Sequence, residues 1–83
     1  MLYRLLVDYE VLELVSTLRK PVQKAIYQRL KAIQIDPVGH SDYLQKDQTG
    51  RPLHVHICAG HALTYWEDFA DRHVKILGIT KAD

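Results

Sequence analysis

The chain has 83 residues, 47% of them hydrophobic and 25% charged, with a formal net charge of +1 when histidine is neutral. That length holds one domain, residues 1–83, near the lower limit for a core that folds alone. The lone cysteine, Cys58, excludes an intramolecular disulfide framework. No run approaches the roughly 18 apolar residues of a membrane span, and the first residues lack a signal peptide's pattern, so a soluble cytoplasmic protein is expected.

Leu2 to Val7 is apolar with Tyr3 and Val7, which predicts a first strand. Asp8 offers a side-chain oxygen to cap a helix. From Tyr9 to Leu18, Val11, Leu12, Leu14, Val15 and Leu18 recur with helical spacing, and Glu10 and Glu13 suit the positive end. Pro21 fits the start of a second helix, along which Val22, Ile26, Leu30 and Ile33 form an apolar stripe. That helix must stop before Pro37, because the residue ahead of a proline avoids the helical region.

Val38 to Ser41 reads as a loop, Tyr43 to Lys46 as a short strand and "DQTGRP" as a turn. Leu53 to Cys58 alternates, with Leu53, Val55 and Ile57 on one side and His54, His56 and Cys58 on the other. His61 to Trp66 returns across Ala59 and Gly60, "EDFADR" turns the chain again, and His73 to Ile79 is the last strand. The order predicts an α+β domain in which an N-terminal strand and a helical hairpin pack on one face of a mainly antiparallel sheet of three or four strands. Leu53, Val55 and Ile57 are expected to face the helices, leaving His54 and His56 on the open face. A two-residue turn at Ala59–Gly60 would set Cys58 opposite His61 and His56 opposite Leu63, so that His54, His56 and His61 share a face; a slip of one residue would remove His61.

Three readings of those histidines stand side by side. They are half-exposed sheet residues, or ligands of a three-histidine zinc site, or proton-transfer groups working near neutral pH without a cofactor. RNA cleavage needs a base for the 2′-hydroxyl, an acid for the 5′-oxygen and cations on the phosphate, and Lys46 and Arg51 could edge such a site. Elsewhere Arg19, Lys20, Lys24, Arg29 and Lys31 follow one another without an acid, while Glu67, Asp68 and Asp71 crowd a later turn. The basic stretch is either a solvated helix face or a surface for phosphate or an acidic protein segment.

The stretches "YRLLVDYEVLELVSTLRKPVQKAIYQRLKAIQIDP", "YLQKDQTGRPLHVHI" and "HALTYWEDFADRHVKILGI" together resemble the RelE/ParE superfamily of small bacterial toxins from type II toxin–antitoxin pairs. The likeness lies in the proline opening the second helix, the Asp-Pro exit, the Gly-Arg-x-Leu strand, the aromatic end of the next strand and the terminal "VKILGI". It implies a metal-independent endoribonuclease that cuts messenger RNA on the ribosome, neutralised by a cognate antitoxin, with no cofactor and no membrane partner. In such RNases the catalytic residues lie on the open sheet face. The YafQ-like branch uses histidines there, and His56 stands nine residues before Tyr65 as one of that branch's histidines does; His40 is a looser match. On this reading His56 and His54 transfer protons, His61 or His40 assists, and Lys46, Arg51 and Lys81 serve the phosphate. Ala82 stands where active relatives carry arginine or histidine. The same resemblance admits a ParE-like inhibitor that binds DNA gyrase, and a catalytically silent histidine-rich binding domain is the third reading. Trp66 and Tyr65 would either stack on a base or belong to the core.

Overall fold

A computed structural model describes residues 2–82. The elements are β1 (Arg4–Val7), α1 (Tyr9–Ser16), α2 (Lys20–Ile35), β2 (Tyr43–Lys46), β3 (Pro52–Cys58), β4 (His61–Asp68) and β5 (His73–Lys81). The strands form one five-stranded sheet in the order β1-β5-β4-β3-β2. Its pairs are antiparallel except β1 with β5, which run parallel. The expected α+β layout is observed, with the N-terminal strand as one edge of the sheet itself.

Local chemistry sets the ends of the helices. Asp8 precedes α1 with extended backbone, but its side chain makes no capping bond. Its carbonyl accepts from the Val11 and Leu12 amides, and its carboxylate lies 3.7 Å from Lys75 Nζ. At the other end, Gln23 Nε2 donates to the carbonyls of Ser16 and Leu18, so α2 satisfies groups left open where α1 stops. Pro21 sits in the first turn of α2, and the helix ends at Ile35, ahead of Pro37, as its sequence requires.

The core lies between the helices and one face of the sheet. Val11 and Val15 of α1 and Ile26, Leu30 and Ile33 of α2 meet Cys58, Leu63, Tyr65, Val74, Ile76 and Ile79. Leu63 pairs with Ile79 and Tyr65 with Ile76, so β5 carries an extra residue, Leu77, between them. That bulge lets two isoleucines three positions apart both point inward, which an unbroken strand forbids.

The faces of β3 are the reverse of those expected from its own pattern. Ala59 and Gly60 both adopt positive φ, +50° and +76°, the tight turn whose twist suits a two-residue hairpin. The turn pairs Cys58 with His61, His56 with Leu63 and His54 with Tyr65. Directly opposed residues share a face, and Leu63 and Tyr65 are completely buried toward the helices. His54 and His56 are therefore on the helix side, and Leu53, Val55 and Ile57 are on the open side. Ile57 is accordingly 42% exposed.

Candidate functional site

Three of the expected histidines converge, beneath the loop between α2 and β2. His56 Nδ1 is 2.7 Å from the His40 carbonyl oxygen; a carbonyl only accepts, so Nδ1 carries the proton. The His40 ring stands edge-on to that of His56 at 6.1 Å. Asp42, at the loop's end, places Oδ2 3.5 Å from the same Nδ1 and accepts the Ile57 amide at 2.7 Å. Tyr65 crosses from β4 and donates its hydroxyl to the Pro37 carbonyl. Burial raises the Tyr65 pKa well above the ordinary phenol value, with Asp42 and Glu67 adding to the rise.

His54 lies beside them, its ring stacked on that of Tyr65 at 5.3 Å and 20°. Its Nε2 is 3.9 Å from Glu67 Oε1, and the Tyr3 hydroxyl donates to the other oxygen of Glu67. The bond to Glu67 is the main reason the Tyr3 phenol titrates above its usual range, with desolvation second. His54 Nδ1 and His56 Nε2 are buried without a hydrogen-bond partner among the described residues. The expectation that these two histidines stand on the open sheet is thus corrected: both lie on the helix side, His54 against Tyr65 and His56 under the loop that carries His40, which leaves it 7% exposed.

The other expected residues lie apart. His61 is opposite Lys81 at the far end of the β4–β5 ladder, and its Nδ1 turns back to the Ala59 carbonyl at 2.9 Å. Lys46 is exposed on edge strand β2, opposite Pro52. Arg51 belongs to the other side of the molecule, where its guanidinium lies 4.6 Å from the centre of the Trp66 ring and its Nε pairs with Asp47 at 3.1 Å. Hydrogen bonds from Thr49 and from the Arg51 amide hold the Asp47 carboxyl below the usual carboxylate range.

Trp66 opens onto a cluster that sequence reasoning passed over. On the open face it pairs with Lys75, and its indole meets the His73 ring edge-on at 5.5 Å. His73 Nδ1 is 2.9 Å from Asp71 Oδ2, and Arg4 Nη2 reaches the same oxygen at 3.0 Å. A carboxylate so placed sets the imidazole tautomer and ring plane, and Nε2 has no hydrogen-bond partner among the described residues. The short spacing "DRH" at the mouth of β5 was the available signal. A continuous row results: Arg51, Trp66, His73, Asp71, Arg4, with Lys75 alongside.

No set of three histidines gathers as metal ligands among the described residues. The potential ligand atoms that converge, within 4.8 Å of one another, belong to Asp68, Asp71 and His73. These are already engaged, since Asp68 Oδ1 accepts the Asp71 amide and Asp71 Oδ2 serves Arg4 and His73.

No family model matches the chain. No curated protein sequence matches it either. Solved structures do. A chain of the archaeal RelE–RelB complex from Pyrococcus horikoshii superposes with a TM-score of 0.83 at 19% identity, over 98% of this chain and 96% of that one. The toxin–antitoxin complex RelBE2 from Mycobacterium tuberculosis gives 0.83 at 12% identity, over 98% and 99%. A mutant of the E. coli toxin RelE in the free state gives 0.67 at 19% identity, over all of this chain and 86% of that one. The fold is RelE-like.

Proposed function

We propose that this protein is the toxin of a toxin–antitoxin pair and acts in the cytoplasm as a metal-independent endoribonuclease on ribosome-bound messenger RNA. The observation that carries the reading is the row on the open sheet face, where a carboxylate-oriented histidine adjoins a tryptophan and cations. His73 Nε2 takes the proton of a ribose 2′-hydroxyl while its Nδ1 stays bonded to Asp71. The 2′-oxygen attacks the adjacent phosphorus, forming a 2′,3′-cyclic phosphate, and the bond to the 5′-oxygen breaks. The leaving oxygen takes its proton from a solvent water molecule. Arg4, Arg51 and Lys75 offset the charge on the phosphate, and the Trp66 edge lies beside a neighbouring base.

Of the residues expected from the sequence, Arg51 keeps a phosphate role here. His56 and His40 join the loop to the sheet, His54 packs on Tyr65 beside Glu67, and His61, Lys46 and Lys81 lie outside the row. Primer extension on a reporter messenger RNA with ribosomes and purified protein tests the reading. Discrete cuts should vanish in His73→Ala and persist in His56→Ala where that variant is folded. Cuts of parental strength from His73→Ala would overturn the assignment.

A second reading has its own support. Another part of the open face, formed by Ile57, Ala62, Thr64, Gly78 and Thr80, carries no titratable side chain among the described residues. That surface suits a protein that inhibits by binding, as a ParE-like gyrase inhibitor would. Inhibition of gyrase supercoiling without any cut messenger RNA would establish it.

A further inference from the structure

The turn between β4 and β5 carries the chain's one phenylalanine, and Phe69 is 64% exposed there. The Arg72 guanidinium lies over its ring, 4.3 Å from the centre, and over the Tyr3 ring at 5.4 Å. Stacking thus holds a flat cation by its faces. Arg72 also keeps a left-handed backbone, φ +53°, that glycine would adopt more readily, so the turn places this guanidinium at a conformational cost.

The charge of Arg72 is left open. Among the described residues it forms no ion pair, although Glu67, Asp68 and Asp71 belong to the same stretch. Each of those acids serves another group: Glu67 accepts from the Tyr3 hydroxyl, Asp68 from the Asp71 amide, and Asp71 from Arg4 and His73. An unpaired cation beside exposed aromatic surface suits a nucleotide, which brings a phosphate for the one and a base for the other. A carboxylate would use the cation but gain nothing from Phe69, and an apolar segment would leave the cation uncompensated.

The pair also adjoins the open-face row. The Arg4 amide donates to the Arg72 carbonyl at 2.9 Å, which ties Arg72 to the strand that supplies Arg4. Trp66 lies on one side of His73, and Asp71 and Arg4 lie on the other. Phe69 and Arg72 continue from that second side around the turn.

We infer that Phe69 and Arg72 form a second base-binding subsite for single-stranded RNA. With one base beside Trp66 and the scissile phosphate at His73, a base from the other side of the cut stacks on the exposed side of Phe69, and its phosphate pairs with Arg72. The place of this subsite along the RNA rests on the nuclease reading above, whereas its grip on an unpaired base stands on Phe69 and Arg72 alone. A duplex, whose bases stack on one another, offers Phe69 no free face.

The test uses the full chain and a fluorescein-labelled, ~6-nucleotide RNA with 2′-O-methyl groups throughout, which lacks the hydroxyl needed for cleavage. Anisotropy gives its affinity, and Trp66 emission reports contact with the row. Phe69→Ala should weaken binding about tenfold and Phe69→Tyr less than about twofold. Arg72→Gly, which suits the left-handed backbone, should weaken binding and lower the salt dependence by about one phosphate contact. Melting profiles verify that each variant is folded. Parental affinity in Phe69→Ala with Trp66 still quenched would overturn the subsite and leave the row standing. No binding by the parent, or equal binding of an RNA duplex, would also overturn it. Cleavage of messenger RNA on ribosomes is measured alongside: Phe69-dependent binding by a parent that never cleaves supports the subsite and counts only against the nuclease.

Discussion

His56 donates its Nδ1 proton to the carbonyl oxygen of His40, 2.7 Å away, and thereby fastens the third strand to the loop that follows the second helix. With Tyr65 donating to Pro37, Asp42 accepting from Ile57 and the Asp42 amide donating to the Val55 carbonyl, four bonds hold one loop against the sheet. The His56 side chain thus joins strand and loop.

His56→Ala should therefore act on stability. It removes a loop-to-strand hydrogen bond and opens a void among buried neighbours, for an expected loss of about 2–3 kcal/mol. Urea unfolding of the variant and the parent measures it, and a loss below ~0.5 kcal/mol would mean the loop is held by other contacts.

Tyr65→Phe keeps the ring and removes the bond to the Pro37 carbonyl, at a cost of about 1 kcal/mol at neutral pH. The parent has a pH signature as well. Burial raises the folded-state pKa of Tyr65 above its unfolded value of about 10, so the folded protein holds this proton more tightly. Its contribution is complete below pH ~10 and is lost as pH rises through the folded pKa. Thermal melts across the alkaline range should fall more steeply for the parent than for Tyr65→Phe.

Ala59 occupies a left-handed conformation, φ +50°, that disfavours any residue with a Cβ. Asn-Gly is the preferred dipeptide for this turn, so Ala59→Asn should stabilise the hairpin by about 0.5–1 kcal/mol. A lower melting temperature in the variant would show that the turn is not of this type.

Trp66 is the only tryptophan and lies in the open-face row, so its fluorescence reports directly on that surface. Single-stranded RNA should quench it, with an apparent affinity that weakens as salt is raised. An unchanged spectrum in the presence of bound RNA would place the contact elsewhere.

The element order was legible because its punctuation is strong: Pro21 inside a helix start, Pro37 after a helix end, Gly60 in a two-residue turn. The face of β3 was misread because its alternation was considered alone. Leu53, Val55 and Ile57 are more apolar than His54, His56 and Cys58, yet β4 sets the outcome by presenting Leu63 and Tyr65 to the helices and Ala62, Thr64 and Trp66 to the other side. A correct register combined with that second strand was enough to turn His56 inward. The extra residue Leu77 was not legible, since a bulge appears only when Ile76 and Ile79 must both reach the core. His73 was passed over although Asp71 stands two residues before it, because the row is completed by Arg4 and Arg51 from distant parts of the chain.

The edge strand β1 pairs only with β5, and Arg4 meets Asp71 across 67 positions of the chain. Closing so long a loop is a late event in folding, because its entropy must be met before the contact repays it. While the chain is being synthesised, β1 has no neighbouring strand until β5 has emerged. Nascent fragments without β5 therefore lack one whole edge of the sheet together with His73, Lys75 and the partner of Arg4. The open-face row is complete only when β1 and β5 meet, so a fragment that lacks β5 does not carry it.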